Sequence, residues 1–242
     1  SIIEHNCKKC PYMRKYKSQN RYDMTVYQNV FFISEYLGDF AKHLNKATLQ
    51  NSVIGNCIEE KFWQKLPPIK STIKSITTIG LGCVNLIDPY KNIENTLKVL
   101  RKLPPSEYRI IVFGGNYDQL DIGDDMNIDF LGLLTSNELI SFYQEIDIFI
   151  NLSKQDAFGK VCVEALSQGV PVIGHQNSGA SDIIQNFKSG RLIVDSNSEL
   201  LPAINEISEN YDLYINDIAK SRQKMCEQFS ATNVLNKIFD NL

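Results

Sequence analysis

The sequence contains only three histidines, His5, His43 and His175, spread over 242 residues. None of them stands at metal-ligand spacing or in a Ser/His/Asp arrangement, so neither a histidine-built metal centre nor a serine-hydrolase triad is expected. An excess of positive charge is also lacking. The 25 Lys and Arg residues face 28 Asp and Glu, for a net charge of −3. Without a basic tract, no extended nucleic-acid footprint is expected. No uninterrupted apolar run approaches the ~20 residues that span a bilayer, and no signal peptide is expected. Internal repeats and low-complexity runs are absent from the sequence.

A disulfide framework is missing as well. Of the six cysteines, Cys57, Cys83, Cys162 and Cys226 stand singly in apolar or helical surroundings, where a cysteine behaves as a small buried hydrophobe. This is not the pattern of a small secreted domain, and a reducing cytosol is the expected compartment. Cys7 and Cys10 form one CxxC followed by Pro11. The pair supplies two zinc ligands, and His5 would add a third, but no second pair follows at zinc-finger spacing. Free thiols or a disulfide are favoured there over a metal.

What is present is the composition of an ordinary globular protein, 43% hydrophobic and 22% charged. The length suits one large domain or one domain with a piece of another. The chain opens on Ser1 rather than Met, as expected of a processed or partial chain. Residues 1–29 are polar. Val30 to Ser34 predicts a short strand, Tyr36 to Leu44 a helix, and Ser52 to Asn56 a second strand. Leu66-Pro67-Pro68 marks a boundary, because two prolines continue neither a helix nor a central strand. Beyond it, strands are predicted at 76–82, 109–113, 128–131, 147–152, 171–174 and 191–194. Helices fall between them near 92–102, 136–145, 158–168 and 180–187. Apolar strands alternating with helices of this length predict an α/β fold, a Rossmann-like parallel sheet with helices on both faces. Ligands of such sheets sit at the carboxyl ends of the strands. Further helices are predicted near 198–208, 212–228 and 231–240.

The stretch from Asn151 to Ile184 reads as strand end, loop, helix, tight turn, strand, loop, helix. Phe158-Gly159 opens the first helix, and Gly169-Val170-Pro171 ends it and starts the next strand. A helix start with a glycine offers free N–H groups and a positive dipole end, a natural place for an anion. Asp156 precedes that helix and Glu164 lies within it. Carboxylates are good acceptors for sugar hydroxyls, so the combination points to a ligand carrying both phosphate and sugar.

These residues resemble the donor-binding signature of the retaining GT-B glycosyltransferases of family 4. The matching elements are Asp156, Phe158-Gly159, Glu164-Ala165, Gly169-Val170-Pro171-Val172-Ile173, and Gly179 with Asp182. One departure is Asp156, where the family usually has Glu. The resemblance implies that residues 1–66 are the tail of an acceptor-binding N-terminal domain with its linker, most of which is missing from the chain. It implies a nucleotide-sugar-binding Rossmann-like domain over 67–228 and a crossover helix over 229–242.

The resemblance also assigns roles. Lys91, in the loop after the first long strand, would neutralise the diphosphate as it leaves. An Arg five residues earlier usually assists in the family, but Leu86 stands there. Asp156 would orient the donor sugar, and Glu164 would take the ribose hydroxyls. Backbone N–H groups of Phe158, Gly159 and Lys160 would face the phosphates. Gly114, at the end of the second long strand, would lie near the nucleotide. Gly132, in Phe130-Leu131-Gly132, would belong to the loop that holds the base. Asp182 reads as a charge at a helix N-terminus and His175 as a loop residue.

The implied activity is retaining transfer of a hexosyl group from a UDP-, GDP- or ADP-sugar to a hydroxyl of a glycan or lipid-linked acceptor. No metal and no cofactor are expected, and the place would be the cytoplasm or the cytoplasmic face of the membrane. The alternatives are a non-catalytic nucleotide-sugar-binding subunit of the same fold, or a GT-B-like epimerase or phosphorylase.

Overall fold

The computed structural model describes residues 30–39, 51–64, 76–123 and 128–240. The Cys7–Cys10 pair, His5, His43 and the expected boundary at Leu66-Pro67-Pro68 lie outside them, as does the later part of the predicted 36–44 helix.

Two short strands, β1 (Val30–Phe32) and β2 (Asn51–Val53), pair in parallel. A helical turn over 35–39 follows β1, and Ser34 caps it by accepting the N–H of Leu37 at 3.2 Å. Helix α1 (Lys61–Gln64) then buries Phe62 and Trp63.

The main body is a six-stranded parallel sheet. Its strands are β3 (Thr77–Asn85), β4 (Tyr108–Gly115), β5 (Ile128–Phe130), β6 (Ile148–Asn151), β7 (Val172–His175) and β8 (Gly190–Ile193). They lie in the order β5-β4-β3-β6-β7-β8. Helices α2 (Ile93–Leu100), α3 (Ser136–Glu145), α4 (Lys160–Ser167), α5 (Ala180–Phe187) and α6 (Ser196–Glu209) cross between and after the strands. Helices α7 (Tyr211–Phe229) and α8 (Ala231–Phe239) complete the described chain.

Both faces of the sheet are buried, which is why its strands read as near-continuous apolar runs rather than alternating ones. Ile110, Val112, Ile148 and Ile150 belong to one core with α2 and α6. Their neighbours Ile111, Phe113 and Phe149 point the other way, into a core with α3, α4 and α5. This is the period-two alternation of a strand, with apolar residues on both sides. Helix α7 joins the two, since Tyr211 and Ile215 pack in the first core and Ile218, Met225 and Phe229 in the second.

The fold agrees with the sequence expectation strand by strand. β3 runs three residues further than expected, to Asn85, and α4, predicted from residue 158, is found from Lys160, because Gly159 sits in left-handed backbone at φ 85°.

Candidate functional site

The strand order places the reversal of the chain between β3 and β6. From β3 the sheet grows outward through β4 to β5, and from β6 through β7 to β8. The loops after the two central strands therefore diverge and leave a crevice at their carboxyl ends, where open parallel sheets bind ligands. A cleft of about 430 Å³ occupies that place. Its walls include Lys91, Asp156, Lys160 and Glu164, together with Asn85 from the end of β3 and Leu133 from the loop after β5.

Lys91 sits just before α2. Its loop is tied to the loop after β6, where the N–H of Lys154 donates to the Tyr90 carbonyl at 2.8 Å. The Lys91 ammonium then lies 3.5 Å from Asp156 Oδ2. The other oxygen, Oδ1, accepts the N–H groups of Phe158 at 3.2 Å and Gly159 at 2.8 Å. Two of the three N–H groups expected to face phosphates are thus taken by Asp156. Helix geometry leaves Lys160 and Val161, the first two residues of α4, without intrahelical acceptors for their N–H groups. The N–H groups left over at the helix start are thus those of Lys160 and Val161, where the sequence suggested those of Phe158, Gly159 and Lys160.

Gly159 serves a close approach, but to protein. A Cβ there would come within 2.5 Å of the Ala180 Cβ at the start of α5. Gly159→Ala is expected to lower stability by about 2–4 kcal/mol, from left-handed backbone plus overpacking. Urea unfolding measures it, and an unchanged midpoint would contradict the contact. The Phe158 side chain is buried against Phe229, with ring centroids 5.5 Å apart, and faces away from the cleft. Gly179 donates its N–H to the Asp156 carbonyl at 2.7 Å and so braces the same loop.

Glu164, one turn into α4, is only 4% exposed. Tyr143 of α3 donates its hydroxyl to Oε2 at 3.3 Å, and Lys160 lies 3.7 Å from Oε1. Burial raises the Glu164 pKa to about 7, against the pull of Lys160 and Tyr143. Cys83, at the end of β3, forms part of the cleft wall. Burial pushes its thiol up to about 11, so it is a neutral surface there and not a nucleophile.

Gly114 and Gly132 stand behind the cleft. Gly114, at φ 140°, has no room for a side chain against the Cys83 carbonyl, and its N–H donates to the Gly132 carbonyl at 2.7 Å. Together they fix the path of the loop after β5, which presents Leu131 and Leu133 largely exposed. Val84, 79% exposed, and Leu133 are apolar parts of the cleft wall.

Asp182 lies in the first turn of α5 and also accepts the Tyr36 N–H at 3.3 Å, linking the sheet to the β1–β2 unit. His175 accepts the Asn177 N–H through Nδ1 and shapes its own loop. Tyr143, Asn85 and Leu133 were not singled out from the sequence. An aromatic residue at a core position of a helix and two ordinary loop residues carry no signal until the fold places them.

A larger hollow, about 590 Å³, lies at the β8 edge between α5, α6 and α7. It contains none of the predicted site residues and sits away from the strand reversal. Among the described residues no group of three or more His, Cys, Asp or Glu side chains is placed to hold a metal ion. No helix among them is long and apolar enough to cross a membrane.

Residues 77–228 match the family model described as glycosyl transferases group 1. An uncharacterised 41.2 kDa protein in the cps region of Klebsiella pneumoniae is 24% identical over 183 residues, covering 74% of this chain and 49% of that protein. The chain thus spans about half the length of this curated relative. Among solved structures, a glycosyltransferase from Rickettsia africae superposes with a TM-score of 0.73 at 18% identity, over 93% of this chain and 65% of that one. Anabaena Alr3699/HepE in complex with UDP-glucose superposes with a TM-score of 0.70 at 19% identity, over 88% of this chain and 63% of that one. At these identities the structural likenesses concern the fold.

Proposed function

The chain belongs to the glycosyl transferases group 1, and from that premise we propose that it is the donor-binding half of a retaining hexosyltransferase. The donor is a nucleoside-diphosphate sugar, and the acceptor is a hydroxyl of a glycan or of a lipid-linked acceptor. The observation that carries this reading is the meeting of Lys91, Asp156, Lys160 and Glu164 in one cleft at the strand reversal. One cation pair and one carboxylate pair within a single crevice match a ligand that is anionic at its centre and rich in hydroxyls at both ends.

In the proposed reaction the sugar C1–O bond to the β-phosphate breaks, and its electron pair stays on the phosphate oxygen. Lys91 stabilises that charge as it develops. The acceptor oxygen bonds to C1 on the same face, and its proton passes to the leaving phosphate. Asp156 offers Oδ2 to sugar hydroxyls while Oδ1 remains fixed by the Phe158 and Gly159 amides. Glu164 takes the ribose diol, since a carboxylate accepts two O–H bonds at once. Lys160 reaches the phosphates once it leaves Glu164. The exposed Val84 and Leu133 side chains offer apolar surface to the base. The other side of the active site would come from an acceptor-binding domain that accompanies this chain, and the whole would work in the cytoplasm or at the membrane's cytoplasmic face.

Titration calorimetry with UDP-, GDP- and ADP-sugars tests the reading. Binding of at least one in the micromolar to millimolar range is expected, and none binding by several millimolar would overturn it. UDP-glucose is the first to try, since the Anabaena neighbour was solved with it. A second reading, a nucleotide-sugar-binding subunit without turnover, draws on one observation. Leu86, where the resembling family carries an Arg, is 1% exposed and packed in the core. Sugar transfer by the protein that contains this chain would dismiss it.

A further inference from the structure

Tyr143 is wholly buried, yet its hydroxyl lies at the back of the cleft. Its ring is held by Phe142 at 5.3 Å, Phe149 at 5.4 Å and Phe62 at 6.4 Å between centroids. Packing on these three sides fixes where the hydroxyl points. Two acceptors lie within its reach, Glu164 Oε2 at 3.3 Å and the Val161 carbonyl at 3.2 Å.

We propose that Tyr143 is a positioning residue for nucleotide binding, its rigid hydroxyl holding the Glu164 carboxylate in the orientation that accepts the ribose diol. This rests on the reading of Glu164 as the ribose acceptor. A hydroxyl has one proton to give. With Glu164 ionised, Tyr143 donates to Oε2, and Oε1 is left facing the cleft beside Lys160. With Glu164 protonated, the acid donates to the Tyr143 oxygen, and Tyr143 turns its proton to Val161. Both protonation states are satisfied, but only the first presents a full acceptor to the ribose. The charged and titratable groups around Glu164 are Lys160 on its own helix, Tyr143 from α3 and Glu59 from the segment before α1, with Cys162 close to the Tyr143–Glu164 pair. Lys160 and Tyr143 favour the carboxylate, while Glu59 opposes it. Removing the Tyr143 hydroxyl therefore moves Glu164 towards its neutral form.

The test is calorimetry on the full chain from pH 5.5 to 8.5. UDP, GDP and ADP are compared first, and the tightest is then compared with its 2′-deoxy counterpart. The wild type is expected to prefer the ribonucleotide by at least about tenfold and to lose affinity as pH falls through the Glu164 titration. In Tyr143→Phe that preference drops to about twofold or less, and the midpoint moves to higher pH. A merely structural loss would weaken both nucleotides equally and leave the midpoint in place, and that result overturns the proposal. Should the Phe variant fail to fold, 3-fluorotyrosine at position 143 keeps the hydroxyl and makes it a stronger donor, so the midpoint moves down; an unmoved midpoint refutes Tyr143. A wild type that binds a nucleotide with no ribose preference overturns the Glu164 reading, and the proposal with it.

Discussion

Replacing Lys91 with alanine is expected to slow sugar transfer about 10²–10³-fold, the usual cost of deleting one fixed group that stabilises developing charge. Lys91 is the cation paired with Asp156, at 3.5 Å, where the diphosphate would break from the sugar. Ground-state binding should fall much less, because Lys160 and the first N–H groups of α4 remain. The signature is therefore a large fall in kcat with a modest rise in KM. Initial rates of nucleoside diphosphate release, measured in the protein that contains this chain, give both numbers. A variant with near-normal kcat would remove Lys91 from the chemistry and leave it as a partner that merely holds Asp156.

Glu164→Gln is expected to act in opposite directions on stability and binding. The Glu164 pKa is raised from 4.5 to about 7, chiefly by burial. Folding thus favours the protonated acid. Its unfavourable contribution is absent below pH 4.5, grows as pH rises towards 7, and is constant above. A shift of that size corresponds to about 3 kcal/mol. Glutamine is neutral throughout and still accepts from Tyr143. The variant should therefore gain about 1–3 kcal/mol in urea unfolding at pH 8 and almost nothing at pH 4.5. Nucleotide affinity should meanwhile fall about tenfold or more, because the amide replaces one of the two acceptor oxygens with a donor. Equal stability changes at the two pH values would show that the buried charge carries no such cost. Keeping an ionised group buried at a stability cost is what a binding site requires and a packing position would not.

The fold was legible because its signals are local. Short apolar runs such as RIIVFGG and DIFIN, rich in β-branched and aromatic residues, fit strands buried on both faces, and the helical periods between them give the parallel sheet. The sequence also identified the helix start after Asp156 and the acids on either side of it. It does not reveal what those groups do for each other. Asp156 looked like a carboxylate free for a sugar, yet one of its oxygens is spent on the amides of Phe158 and Gly159. Gly159 reads as the glycine of a helix start, and the space beside it is filled by Ala180 of the next helix. Phe158 reads as a backbone donor to phosphate, but its N–H is taken by Asp156, and its ring packs against Phe229, far along the chain.

The order of apolar and polar residues determined the strands and the helices, because hydrogen-bonding period and burial are set within a few residues, and the family resemblance pointed to the pieces of one crevice. Only the tertiary structure decided which groups face each other across that crevice. Lys91 meets Asp156 from 65 positions away, and Tyr143 meets Glu164 from 21. Such pairings depend on where the sheet reverses and on which helix lies over which strand. No neighbouring residue encodes them, and it is these contacts that tune the charge of the site.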